Sequence, residues 1–285
     1  MNLQETISLK RLTTFGTGVT AKYFSAFKSV DELNELLQLK QVSNNRIPLL
    51  VLGGGSNILF TKDYNGLVLH NEIAGIKIIK EDEHYVYLHA GAGENWHQFV
   101  LHCIKNDYAG VENLSLIPGK VGASPMQNIG AYGVELKDVF FSLEAFHIHD
   151  KKMVNFNLND CQFGYRESIF KSKYKDQFII TGVIYRLNKK PDYNISYGAI
   201  NQELEKLGTK ELSIKVISQA VINIRNSKLP DPALIGNAGS FFKNPVVSSS
   251  LYTRLKEKFP SIPGYISGIN DIDRKSTRLN SSHRH

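Results

Sequence analysis

The chain has 285 residues, 42% hydrophobic and 21% charged, an ordinary globular composition with room for two domains or one large one. Two cysteines, Cys103 and Cys161, exclude a disulfide framework and lack metal-ligand spacing, so we expect a reducing cytoplasm; no apolar signal core opens MNLQETISLK and no run approaches a membrane span. Of the formal charge of +7, Arg274, Lys275, Arg278 and Arg284 against Asp273 supply +3; the modest excess left suits a small anionic ligand, and no basic stripe interleaved with aromatics asks for nucleic acid.

In chain order, Ser29-Val-Asp-Glu32 reads as a capping box opening a helix with Leu33, Leu36 and Leu37 on one face. The apolar run Ile47–Leu52 reads as a buried strand feeding Gly53, Gly54, Gly55, Ser56 and Asn57. A strand ending in glycines presents free N–H groups to an anion such as a diphosphate, although neither a Walker lysine nor a GxGxxG spacing is present and these residues alone favour a plain tight turn. Val86–Ala90 is a strand, and Trp96, Phe99, Val100, Cys103 and Ile104 make the core face of the next helix. His97 and His102 on that helix are not spaced as a metal pair and read as solvent or second-layer residues.

The longest small-residue stretch is Ile117–Gly133, IPGKVGASPMQNIGAYG, with glycines at 119, 122, 130 and 133. Small residues let backbone approach a ligand, and Ser124, Gln127 and Asn128 add uncharged hydrogen-bonding groups. That suits a large polar cofactor; a surface loop is the bland alternative. Strands follow at Val139–His149, Gln162–Tyr165 and Phe178–Leu187. After Lys189-Lys190-Pro191 the pattern changes, which we read as a domain boundary. Ser213 caps a helix carrying Ile214, Ile217, Val221 and Ile224, with Arg225 and Lys228 near its end and the stiff Leu229–Pro232 turn beyond. Leu251, Leu255 and Phe259 form a last helical stripe.

Four stretches in order, LGGGSN at Leu52–Asn57, the Ile117–Gly133 loop, FGYRES at Phe163–Ser168 and NAGSFFKNP at Asn237–Pro245, resemble the UDP-N-acetylenolpyruvoylglucosamine reductase family of bacterial cell-wall flavoenzymes, from about Thr14 to Tyr265. The resemblance implies an α+β chain: an FAD-binding domain of the PCMH/vanillyl-alcohol-oxidase type over 17–190 and an incomplete α+β substrate domain over 191–272. It implies FAD, NADPH and the substrate UDP-N-acetylglucosamine enolpyruvate, in peptidoglycan precursor synthesis and hence cell-wall biogenesis, cell shape and cell division. Cofactor contacts implied by the motifs are Gly53, Gly54, Gly55, Ser56 and Asn57, then Ile117, Pro118, Gly119, Gly122 and Ala123, with Ser124, Gln127, Asn128 and Ile129.

Hydride addition to the enolpyruvyl group builds enol character beside its carboxylate, so a cation there and a proton donor over the adjoining carbon are needed. Arg166 fits the first role, as a guanidinium that holds a carboxylate in a fork at any relevant pH. Taken alone it is a surface arginine. Ser240 fits the second, since the family's matching serine protonates the enol; taken alone it is a strand hydroxyl. Substrate contacts implied by the motifs are Tyr132, Tyr197, Lys228, Asn244 and Tyr265, the last resembling a tyrosine on a loop that closes over substrate. The family's C-terminal glutamate, which aids protonation, has no counterpart here.

Two rivals remain at this stage: another FAD-dependent oxidoreductase of the same cofactor-domain type, such as an alcohol or lactone oxidase, and a non-catalytic flavin-binding module. The segment Asp273–His283, DRKSTRLNSSH, coincides with the in-frame translation of a common sequencing adapter, so we expect 273–285 to be non-native. An incomplete substrate domain further leads us to expect Ile214, Ile217, Val221 and Ile224 to lack packing partners, leaving a poorly soluble protein that binds flavin weakly.

Overall fold

The computed structural model describes residues 3–39, 47–209, 211–239, 243, 245–262, 264–267 and 274–276. The chain forms two compact units, residues 1–238 and 239–285. The proposed functional division at 190/191 falls inside the first.

The first unit opens with a four-stranded sheet in the order β1-β2-β4-β3, from Gln4–Ser8 (β1), Thr20–Phe27 (β2), Leu49–Leu52 (β3) and Tyr64–Asn71 (β4). β2 and β3 each run parallel to β4, and helix α1 (Val30–Leu37) lies in the crossover between β2 and β3. Ser29 caps α1 as its sequence suggests, its hydroxyl accepting from the Glu32 N–H at 3.1 Å. The Glu32 carboxylate reaches back one residue further than a capping box requires, to the Lys28 N–H at 2.6 Å. Leu33, Leu36 and Leu37 are buried, packed with Phe27, Leu67 and Leu69 and with Phe146 and Ile179 from the second sheet. β3 differs from the expected buried strand: it is shorter and sits at the sheet edge, with Val51 37% exposed. An apolar run shows that a strand forms but not whether both of its edges are paired.

The second sheet is antiparallel, in the order β10-β9-β11-β6-β5. Its strands are Ile76–Glu81 (β5), Tyr85–Gly91 (β6), Phe140–His147 (β9), Lys152–Asn157 (β10) and Phe178–Asn188 (β11), and between β6 and β9 runs a short hairpin, Gly130–Ala131 (β7) with Val134–Glu135 (β8). Helix α2 (Trp96–Lys105), capped by Asn95, buries Trp96, Phe99, Val100 and Cys103 as its spacing predicts. Trp96 and Phe99 pack on Tyr185 of β11, with ring centroids 5.9 and 4.6 Å away. The Asn71 amide, from β4, donates to the Ile180 carbonyl of β11 at 3.0 Å in a buried bond between the two sheets.

Gln162–Tyr165 is not a strand. Gln162 has φ 47°, and residues 164–167 form a tight turn closed by Gly164 N–H to Glu167 O at 3.0 Å. The edge strand β10, not anticipated, pairs with β9 instead. Its exposed Met153 and Lys152 give a weak alternation, so it left little period-2 signal.

Two helices complete the first unit, α3 (Gly198–Leu207) and α4 (Ile214–Lys228), the latter capped by Ser213 through the Val216 N–H at 3.2 Å. Here the expectation of exposed apolar surface fails. Ile214, Ile217, Val221 and Ile224 are at most 5% exposed, because α3 supplies Ile200 and Leu204 as partners and the turn at 112–114 lies against the same helix. In the second unit, helix α5 (Ser249–Lys258) carries the expected stripe, but Leu251 and Phe259 remain 37% and 50% exposed. Its sheet runs β12-β14-β13, from Val246–Val247 (β12), Tyr265–Ser267 (β13) and Arg274–Ser276 (β14), so the segment with the adapter-like sequence contributes one strand.

Candidate active site

The two glycine loops share one cleft. Gly54 lies against Gly119 so closely that a Cβ on Gly54 would fall 2.8 Å from the Gly119 Cα. The Asn57 amide donates to the Gln127 side-chain oxygen at 3.2 Å, a second link between the loops. Gly55 adopts φ 58°, and a Cβ there would overlap the Leu12 carbonyl, so only glycine fits. The central loop is pinned from behind. Gly119 O accepts from Trp96 N–H at 3.1 Å, Val121 N–H donates to Glu94 O at 2.9 Å, and Lys120 Nζ reaches Gly93 O at 2.6 Å. The cleft, of about 1350 Å³, is bordered by Gly53, Lys120, Gly122, Ala123 and Met126 from the loops and by Leu50 and Ile180 from the two sheets.

Not every residue of the loop faces that cleft with its side chain. Ser124 is 1% exposed and turned into the core, donating to Val121 O at 2.6 Å or bonding the Tyr185 hydroxyl at 2.9 Å. Asn128, fully buried at φ 42°, spends its amide on the Glu135 carboxylate at 3.1 Å and Gly164 O at 3.0 Å, and accepts from Lys137 N–H at 3.0 Å. A ligand contact from either residue is therefore a main-chain contact. Ile129 is 8% exposed and belongs to the core beside the loop.

The β7–β8 hairpin turns at Tyr132 and Gly133, with φ of 50° and 85°. A two-residue hairpin turn with both central φ positive matches strand twist, which explains Gly133 and places Tyr132 in a conformation costly for a side-chain-bearing residue. Tyr132 meets Tyr197 edge to face, with centroids 5.2 Å apart at 88°. Arg166 approaches the same hairpin. Its guanidinium donates to Gly130 O and to Asn128 O, the latter at 3.4 Å, and stands 3.8 Å from the Glu135 carboxylate. Gly130 is small for this reason: a Cβ there would sit 2.7 Å from an Arg166 nitrogen.

Behind Tyr132 lies a cation that the motifs did not single out. Arg225 of α4 bonds the Tyr132 side chain, and its Nε donates to Leu116 O at 3.1 Å. Burial draws its pKa down, opposed by Tyr132. The Leu116 N–H donates to His97 Nδ1 at 3.0 Å, and burial, then Arg225, lowers the His97 pKa. His97 is thus a half-buried acceptor fixing the entry to the central loop. The visible signal for Arg225 was its place three residues before Lys228, on the same helical face. Lys228 itself is exposed at the end of α4. Ser240 and Asn244 lie outside the described residues, and Tyr265 begins β13 in the second unit.

The family model described as an FAD binding domain matches residues 21–156. A UDP-N-acetylenolpyruvoylglucosamine reductase from Amoebophilus asiaticus is 53% identical over 266 residues, covering 93% of this chain and 78% of the relative. The chain belongs to the UDP-N-acetylenolpyruvoylglucosamine reductase family. The Flavobacterium johnsoniae reductase is 50% identical over the same shares of both chains. The solved structure of the Thermus caldophilus reductase aligns with 97% of this chain and 87% of its own at a TM-score of 0.59 and 21% identity, a likeness of fold. The α+β architecture with an FAD-binding domain is therefore established for this reductase family member, and the oxidase reading loses its ground.

The residues present fit FAD. Main chain without Cβ atoms lines both sides of the cleft at Gly53 and Gly122, and a cleft of about 1350 Å³, above the usual ligand pocket of roughly 300–1,000 Å³, has room for an extended dinucleotide. Gly53–Asn57 would hold the diphosphate and the central loop the rest of the cofactor. Among the described residues no cluster of His, Cys, Asp and Glu could hold a metal ion.

Proposed function

We propose that this chain reduces UDP-N-acetylglucosamine enolpyruvate to UDP-N-acetylmuramate with NADPH as reductant, as a UDP-N-acetylmuramate dehydrogenase of peptidoglycan precursor synthesis. The observation that carries this reading is identity of 53% to a UDP-N-acetylenolpyruvoylglucosamine reductase over 93% of the chain, joined to an arginine anchored on the cofactor loop itself. FAD, when bound, supplies hydride transfer from NADPH to the terminal carbon of the enolpyruvyl group.

The chain's own residues do the rest. Arg166 holds the substrate carboxylate, where negative charge grows as the enol forms, through the planar fork of its guanidinium. Ser240 delivers a proton to the carbon next to that carboxylate. Tyr132, Tyr197, Lys228, Asn244 and Tyr265 bind the nucleotide sugar, with Lys228 supplying charge for its diphosphate. The cofactor-binding segment is 17–190 and the substrate-binding segment 191–272. Both cysteines are free and buried, and no helix among the described residues is long and apolar enough to cross a membrane, which supports a cytoplasmic setting.

Anaerobic absorbance of the FAD-loaded protein tests the reading. NADPH should bleach the flavin, and UDP-N-acetylglucosamine enolpyruvate should restore its colour. A flavin that NADPH cannot bleach, or that only oxygen restores, would overturn it.

A further inference from the structure

Arg166 occupies a costly conformation for a reason that lies outside its own turn. It is the third residue of the 164–167 turn, at φ 53°, where glycine sits without strain and other residues do not. The guanidinium's bonds to Asn128 O and Gly130 O, and its approach to Glu135 Oε1 at 3.8 Å, hold it there. All three partners belong to one stretch, 128–135, the end of the central loop with strand β8. Glu135 is itself fixed. Its Oε2 accepts from the Asn128 amide at 3.1 Å and meets Lys137 Nζ at 3.0 Å, and its flank passes over Gly130, where a Cβ would come 3.1 Å from Glu135 Cγ.

We propose that Glu135 is the positioning residue of Arg166: its carboxylate, braced by Asn128 and Lys137, orients the guanidinium from the cofactor loop so that the cation meets the substrate carboxylate in register with the bound cofactor. This rests on the reading of Arg166 as the carboxylate holder. Asn128 is the hinge of the arrangement, since one buried amide bonds both Glu135 and the Gly164 carbonyl at the base of the arginine's turn. Lys137 is raised in pKa chiefly by its bond to Glu135, and the contact of 3.0 Å makes it a brace for the carboxylate. Glu135 orients rather than attracts. As an anion near Arg166 it opposes a second carboxylate, so its removal costs geometry and not affinity.

The test is a cycle of Glu135→Gln, Arg166→Lys and the double variant in the full FAD-loaded chain. Glutamine keeps an oxygen for the Asn128 amide, and the Glu135 N–H keeps its bond to Asp138 Oδ2 at 2.8 Å, so the local turn survives. Two readouts are taken: single-turnover rates for each half-reaction, and calorimetric affinities for UDP-N-acetylglucosamine enolpyruvate against UDP-N-acetylglucosamine. Glu135→Gln should slow the substrate half-reaction by up to ~10²-fold, the scale of a misplacement of about 1 Å. It should leave the NADPH half-reaction, FAD affinity and the preference for the carboxylate-bearing ligand undiminished. The double variant should be no slower than Arg166→Lys. Full multiplication of the two effects, equal slowing of both half-reactions, or an unimpaired Glu135→Gln beside a slow Arg166→Lys would each overturn the proposal. An unimpaired Arg166→Lys with unchanged ligand preference would instead overturn the reading of Arg166 beneath it.

Discussion

Gly54 and Gly119 touch main chain to main chain, the Cβ that alanine would add to Gly54 falling 2.8 Å from the Gly119 Cα. The contact joins two loops separated in sequence by strands β4, β5 and β6, helix α2 and the turn at 112–114. It sets how closely the two loops approach. Gly54→Ala should push the loops apart at a cost of ~1–3 kcal/mol, and FAD affinity should fall by about tenfold to 10²-fold. Gly18→Ala, where nothing lies within 4 Å of the added carbon, should leave it unchanged. Quenching of FAD fluorescence on binding measures both.

Ser124 separates loop architecture from ligand contact. Its hydroxyl faces Tyr185 OH at 2.9 Å, and Tyr185 is wholly buried, which raises its pKa far above the ordinary tyrosine value. Ser124→Ala leaves that hydroxyl without its partner and should cost ~1–3 kcal/mol in urea unfolding, whereas adding Tyr185→Phe should recover most of the loss. FAD affinity should hold in the double variant. A loss of FAD affinity there would show that the serine side chain reaches the cofactor.

The elements that were legible from sequence are those whose signal is local. Caps at Ser29 and Ser213 and the stripes of α1, α2 and α4 depend on neighbours within two turns, and each appears where its spacing put it. The glycine loops were legible because close approach needs small residues. What escaped depends on partners far along the chain. The inward turn of Ser124 is set by Tyr185, the edge position of β3 by strand order, and the partners of α4 by α3, whose Ile200 and Leu204 spacing was a usable signal. Nothing local marks Glu135 as the neighbour of Arg166, which the turn at 164–167 brings back across the hairpin.

His97 makes the entry to the central loop sensitive to acid. Burial first and Arg225 second lower its pKa from the ordinary 6.5, so the unfolded chain binds its proton more tightly than the folded one. Its contribution is intact above about 6.5 and is lost as pH falls below that value through the lowered one. Protonation also removes the acceptor of the Leu116 N–H. Between pH 7 and pH 5 the wild-type melting temperature should fall more steeply than that of His97→Gln, which offers a neutral acceptor; parallel curves would contradict the assignment.

Neither thiol should be reactive. Burial raises the Cys103 pKa well above the ordinary value and pushes that of Cys161 up to about 12, so little thiolate forms at either site. A chromogenic disulfide reagent at pH 8 should label no thiol in the folded protein and both on unfolding. Rapid labelling of the folded protein would show that one of these pockets opens.

A crystal structure of the chain with FAD tests the central claim most directly. The account predicts FAD along the cleft, its diphosphate against Gly53–Asn57 and its ring system against the central loop. Density for FAD outside the space between Gly53 and Ile180, or with its ring system away from the central loop, would contradict it.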